Sequence, residues 1–211
     1  SNIEGSLLFN EHNQVEPKLL EFFLKKKILS MGGIIKKKRG LQSFKFVNNI
    51  LKIDDLKFSA EKLIICCGAW SNKLLEKSEN ISFPMRPVKG VSMIFKTEKN
   101  MFKNNLWFKN IYVAPRKGKK LAVGATEDEK GFEEDVTLDE IFFLSKHLWE
   151  SLPELEKLKY QEVKAGLRST VVDGNPIIGE LKHKKNIICS FGHHRHGTVS
   201  YTHLTLPTKS S

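Results

Sequence analysis

The chain has 211 residues, 40% of them hydrophobic, enough for a real core in one large domain or two small ones. Its net charge of +11 comes from lysines scattered along the chain, apart from Lys25 to Lys27 and Lys36 to Arg39, so it reads as solvated surface rather than as a nucleic-acid patch with interleaved aromatic residues. No apolar run approaches the ~20 residues of a membrane span, and Ser-Asn-Ile-Glu-Gly carries no secretory pattern; the expectation is a soluble cytoplasmic protein with no membrane partner.

Taken in order, Pro17 suits a first helical turn, Leu19, Leu20, Phe22, Phe23, Ile28 and Leu29 form a broad apolar face, and Gly32-Gly33 ends a helix of about four turns. A strand is expected over Ile34 to Lys36, then a hairpin of Leu41 to Val47 with Ile50 to Ile53 across Asn48-Asn49. Lys62-Leu-Ile-Ile-Cys-Cys-Gly-Ala-Trp-Ser71 reads as a strand buried on both faces, a tight turn, and a helix to about Lys77. Strands over Gly90 to Lys96, Leu106 to Phe108, Ile111 to Pro115 and Lys120 to Ala125 read as an antiparallel sheet, with Lys117-Gly118 as a hairpin turn. Thr137-Leu-Asp-Glu140 is a capping box for a helix to about Ser151. Gln161 to Arg168, Pro176 to Gly179 and Asn186 to Phe191 return as extended pieces, the last delivering the loop Gly192-His-His-Arg-His-Gly-Thr198.

Three residue types bear on chemistry. Only five of the 35 basic residues are arginine (Arg39, Arg86, Arg116, Arg168 and Arg195), so arginine should persist where a planar two-pronged donor is needed. Arg168, between Ala165-Gly-Leu and Asp173-Gly174, is placed to clamp a carboxylate from a strand end; the alternative is a structural arginine on a buried acid or loop carbonyl. Cys66, Cys67 and Cys189 lie in apolar runs without zinc or disulfide spacing and read as buried thiols. His193, His194 and His196 are adjacent on one loop and cannot all face one ion, so no metal site is expected.

In order, Cys67-Gly-Ala-Trp-Ser71, Arg86-Pro-Val-Lys-Gly90, Tyr112-Val-Ala-Pro-Arg-Lys-Gly118, Leu121-Ala-Val-Gly-Ala-Thr-Glu127, Ala165-Gly-Leu-Arg-Ser169, Asp173-Gly-Asn-Pro176 and Gly192-His-His-Arg-His-Gly197 resemble the D-amino-acid oxidase superfamily of flavoproteins, and within it the glycine oxidases of thiamine biosynthesis. The resemblance covers residues 4 to 198. It implies a mixed α/β fold: part of a Rossmann-like FAD-binding domain over 1–80 and 161–198, an inserted antiparallel-sheet substrate domain over 81–160, and a tail over 199–211. The family's Gly-x-Gly-x-x-Gly turn is expected upstream of these residues, and the tail resembles one reading frame of a transposase sequencing adapter. The expectation is therefore a fragment, inactive as it stands; a short disordered native tail is the alternative for residues 199–211.

The resemblance also implies chemistry. FAD takes a hydride from the substrate α-carbon, giving an imine, and dioxygen or another acceptor reoxidises it. Arg168 and Tyr112 would hold the substrate carboxylate, with Arg195 nearby; Glu127 would line the pocket, receiving an amine or capping a strand. His193, His194, Arg195, His196, Gly197 and Thr198 would wrap the flavin, Leu41 would meet the adenine, and Gly68 and Ala69 would line the cofactor cleft. His196 replaces the usual asparagine and Ser169 the usual proline. Three classes stay open: a glycine or small amino acid oxidase; a related dehydrogenase or N-methyl amino acid oxidase; and a non-catalytic basic module. Either enzyme is compatible with a homo-oligomer.

Overall fold

The computed structural model describes residues 5–9, 14–37, 40, 42–48, 50–53 and 56–197. The chain is mixed α/β and divides into two compact units, one of Ser1–Arg39, Gly90–Thr126 and Asp135–Ala165, the other of Gly40–Lys89, Glu127–Glu134 and Gly166–Ser211. Two of the chain's crossings between them fall inside long strands, β5 (Met85–Lys96) and β9 (Lys159–Val171).

In the first unit, helix α1 (Pro17–Ser30) starts at the predicted proline and buries none of its residues. Ahead of it, Gln14 Nε2 donates to the Pro115 carbonyl at 2.8 Å and an Arg116 guanidinium nitrogen to the Val15 carbonyl at 3.2 Å. Strands β6 (Leu106–Trp107), β7 (Tyr112–Arg116) and β8 (Lys120–Gly124) pair antiparallel in turn, and β8 pairs antiparallel with β5, in the order β6-β7-β8-β5-β9. Helix α3 (Leu138–Ser151) opens on the capping box, where the Thr137 N–H donates to Glu140 Oε2 at 2.8 Å. Its Leu144 and Leu148 bury against Val91, Met93, Val113, Leu121 and Val123, the core of this unit.

In the second unit, β1 (Phe44–Val47), β2 (Ile50–Ile53) and β3 (Leu56–Ser59) form an antiparallel meander. A second sheet runs β10 (Ile177–Leu181), β11 (Lys184–Phe191), β4 (Leu63–Ile65). Here β11 and β4 are parallel, with Ile187 opposite Leu63 and Cys189 opposite Ile65. A 3-10 turn (Gly68–Trp70) and helix α2 (Ser71–Glu79) follow β4, and the core gathers Phe44, Phe46, Ile65, Leu75, Ile187 and Phe191.

Several expectations are corrected. Ile34 to Lys36 is not a strand; an extended stretch becomes one only with a neighbour to complete its ladder. The short, lysine-bearing β3 went unpredicted. β4 is not buried on both faces: Ile64 stays 48% exposed while Ile65 is buried, because the chain alternates sides. The strand expected over Gly90 to Lys96 begins earlier, at Met85, and its first part, with Pro87, extends past the end of β8, whose pairing stops at Ser92 opposite Gly124. Cys66 is exposed and Cys67 half-buried; only Cys189 fits the buried-thiol reading. Leu41, Thr198 and residues 199–211 lie outside the described residues.

Candidate functional site

The second unit holds the residues that the sequence points to most directly. Past Arg168, β9 continues as Ser169-Thr170-Val171, and Thr170 bridges antiparallel to His193 in the loop that leaves β11. The His194 N–H donates to the Ser169 carbonyl at 2.8 Å, and the Gly192 N–H to Ser169 Oγ at 3.0 Å. One serine thus binds the loop at two points, a role that the usual proline's side chain could not fill because it has no hydroxyl.

Gly192 makes this approach possible. Its φ of +85° is a glycine conformation, and a Cβ there would stand 2.5 Å from Val171 Cγ2. His193 is buried, its Nε2 3.5 Å from Ser190 Oγ, and burial holds its pKa below the ordinary histidine value. The His196 N–H donates to the His193 carbonyl at 2.9 Å, rounding the loop toward Gly197.

Glu127 meets the loop through its carboxylate. One carboxylate oxygen accepts a hydrogen bond from the Arg195 guanidinium, and the other lies 2.8 Å from His194 Nε2. The pairing joins residues 68 apart, and no local spacing signals it. The segment carrying Glu127 is tied down behind it. Asp128 exchanges two backbone bonds with Lys89, at 2.8 and 3.0 Å, and Glu129 pairs with Arg86 at 2.8 Å. Phe132 packs 6.0 Å from Trp70 and beneath the Lys73 ammonium at 3.4 Å.

Because β4 and β11 are parallel neighbours, their carboxyl ends open on one edge of the sheet. From that edge emerge the Gly68-Ala69-Trp70 turn and the loop from Gly192. α/β sheets hold dinucleotides at such an edge. Ala69 is buried, while the Cβ position of Gly68 faces open space, so backbone is presented there without a side chain in front of it; this fits a flavin dinucleotide. Among the described residues, no group of three or more His, Cys, Asp or Glu side chains is placed to hold a metal ion, and no helix is long and apolar enough to cross a membrane.

Tyr112 belongs to the first unit. Its ring lies over Gly124, where a Cβ would meet the phenol carbon and hydroxyl at 2.8 Å, and 5.4 Å from the Trp107 ring.

Comparison with known proteins gives this arrangement its setting. The chain is 31% identical over 141 residues to a glycine oxidase of Pseudomonas putida, covering 67% of this chain and 38% of that protein. It is 32% identical over 144 residues to the bifunctional protein ThiO/ThiG of a Nostoc species, 66% of this chain and 21% of that one. Among solved structures, the glycine oxidase of Bacillus cereus superposes with a TM-score of 0.74 at 26% identity, over 86% of this chain and 51% of its own. The chain therefore spans about four-tenths of the length of the Pseudomonas putida glycine oxidase. The family model for FAD dependent oxidoreductases matches residues 1–202, and the chain belongs to that family.

Proposed function

We propose that this chain is the substrate-binding and flavin-facing part of an oxidase acting on glycine or another small amino acid. In this reading it serves a cytoplasmic protein that supplies thiamine thiazole synthesis. The observation that carries the reading is the pairing of Ser169 and Thr170 with His194 and His193, which sets the end of the Arg168 strand beside the loop expected at the flavin. In the expected domain division residues 1–80 and 161–198 belong with the cofactor and 81–160 with the substrate, and Arg168 is the cofactor domain's proposed contribution to substrate binding.

Bound FAD supplies the hydride acceptor: the substrate α-carbon loses a hydride, the amine a proton, and dioxygen takes up the two electrons as hydrogen peroxide. The protein's own residues fix geometry and charge. Arg168 receives the substrate carboxylate with both guanidinium prongs, and the Tyr112 hydroxyl is a further proposed substrate donor. The N–H groups of Gly192, His194 and His196 are engaged within the protein, so other backbone N–H groups of the Gly192–Gly197 loop would face the flavin ring, and Gly68 and Ala69 would admit the cofactor at the sheet edge. Thr198 and Leu41 complete the proposed contacts.

The test is made on the full-length, FAD-loaded protein that contains this chain, with glycine, sarcosine and D-alanine as substrates and peroxide as the readout. Fastest peroxide from glycine supports the reading. In Arg168→Lys, catalytic efficiency should fall by roughly a hundredfold, since lysine keeps the charge and loses the fork. A flavin-bearing protein that reduces its flavin with these substrates but forms no peroxide is a dehydrogenase instead, and one that never takes up flavin overturns the proposal.

A further inference from the structure

We infer that residues 127–132 form a strap that positions the cofactor, joining the two loops at the sheet's carboxyl edge so that FAD retention depends on both of its ends. The inference rests on the reading of that edge as the flavin site. At one end of the strap, Glu127 takes the Arg195 guanidinium on one carboxylate oxygen and lies 2.8 Å from His194 Nε2 through the other. At the other end, the Phe132 ring stands 6.0 Å from that of Trp70, which closes the turn after β4, and the Lys73 ammonium of α2 lies over it at 3.4 Å. Between the ends, Asp128 and Glu129 are bonded to Lys89 and Arg86 of β5. One short segment therefore touches both the loop from β11 and the turn from β4, and it is fixed to a third strand in its middle.

Arg195 and Glu127 keep 52% and 42% of their side chains exposed, and an ion pair this open adds little to global stability. Its consequence is local. Ser169 pins the start of the Gly192 loop through two backbone N–H groups, and the strap holds the side chains of His194 and Arg195 farther along. A dinucleotide seated against both loops binds only while both stand in place, so its apparent Kd rises as that competent fraction falls. The sign separates this role from simple charge. Deleting a carboxylate makes the edge more positive and would tighten an anionic dinucleotide, whereas losing the strap weakens its binding.

The experiment uses the full-length protein that contains this chain, with and without FAD, and its Glu127→Ala, Phe132→Ala, Glu127→Ala/Phe132→Ala and Phe132→Tyr variants. Flavin fluorescence gives the Kd of FAD, and amide hydrogen exchange follows the Gly68–Trp70 turn and the Gly192–Gly197 loop. Each alanine variant should weaken FAD binding about three- to tenfold, and the double variant about as much as the more damaging single one, because cutting either end releases the same strap. Phe132→Tyr, which keeps the ring, should hold FAD as the wild type does. Phe132→Ala should also speed exchange in the Gly192–Gly197 loop, and Glu127→Ala in the Gly68–Trp70 turn, each at the far end of the strap. Unchanged FAD affinity in the alanine variants, tighter binding in Glu127→Ala, losses that multiply in the double variant, or faster exchange confined to the end that was cut overturns the inference. A wild-type protein that takes up no FAD overturns the proposed function; exchange, which needs no cofactor, then decides separately whether the strap joins the two loops.

Discussion

The hydroxyl of Ser169 accepts the backbone N–H of Gly192 at 3.0 Å, a buried bond between the strand that carries Arg168 and the loop that carries Arg195. Removing the hydroxyl strands a buried donor, which costs about 1–3 kcal/mol. Ser169→Ala should therefore lower the urea midpoint of the second unit. It should also raise KM for amino acids, because the loop is no longer held to the clamp strand.

Gly192→Ala should be harsher. The φ of +85° strains any L side chain, and the new methyl would press on Val171 Cγ2. A loss of roughly 1–3 kcal/mol is expected from the backbone strain alone. Adding Val171→Ala should relieve the clash but leave that strain, so denaturation of the double variant, once corrected for the Val171 single variant, should show partial rescue and no more.

Gly124, which has no Cβ, lets the Tyr112 ring approach the backbone of β8 closely. A methyl at that position would displace the phenol. Gly124→Ala and Tyr112→Phe should then share a kinetic signature: KM for glycine rises several-fold while kcat changes less, as when binding common to ground and transition states is lost. A kcat fall equal to the fall in kcat/KM would place Tyr112 in the chemical step instead.

Burial lowers the pKa of His193. The unfolded chain therefore takes up a proton at higher pH than the folded one does, and the stability that the neutral ring provides is present above ~6.5, the ordinary histidine value. It is lost as the pH falls from there toward the folded pKa. Urea midpoints should drop between about pH 7.5 and about pH 5.5, and His193→Asn should flatten that slope.

Cys189 is buried on β11, and burial with Cys66 nearby pushes its pKa up to about 11. Its thiol stays protonated and shielded near neutral pH. Iodoacetamide should modify exposed Cys66 first, slowly because desolvation raises that thiol too, and reach Cys189 only on unfolding. Mass spectrometry of labelled peptides reads the order.

What the sequence by itself determined follows from local rules. Pro17 and the Thr137–Glu140 capping box mark helix starts because they act within one turn, and the apolar run ending at Cys189 marks a buried strand. The ordered motifs were enough to identify the flavoprotein family. Arg168 stood out because arginine is rare here and glycine turns flank it. Tertiary structure alone decided the rest. Whether Ile64 is buried depends on which sheet face is covered, and β3 forms because β2 offers it an edge. The contacts of Glu127 with Arg195 and His194 join distant parts of the chain, and Ser169 meets Gly192 across 23 positions. Such contacts arise when strands pair, and strand pairing depends on partners that no local window of sequence contains.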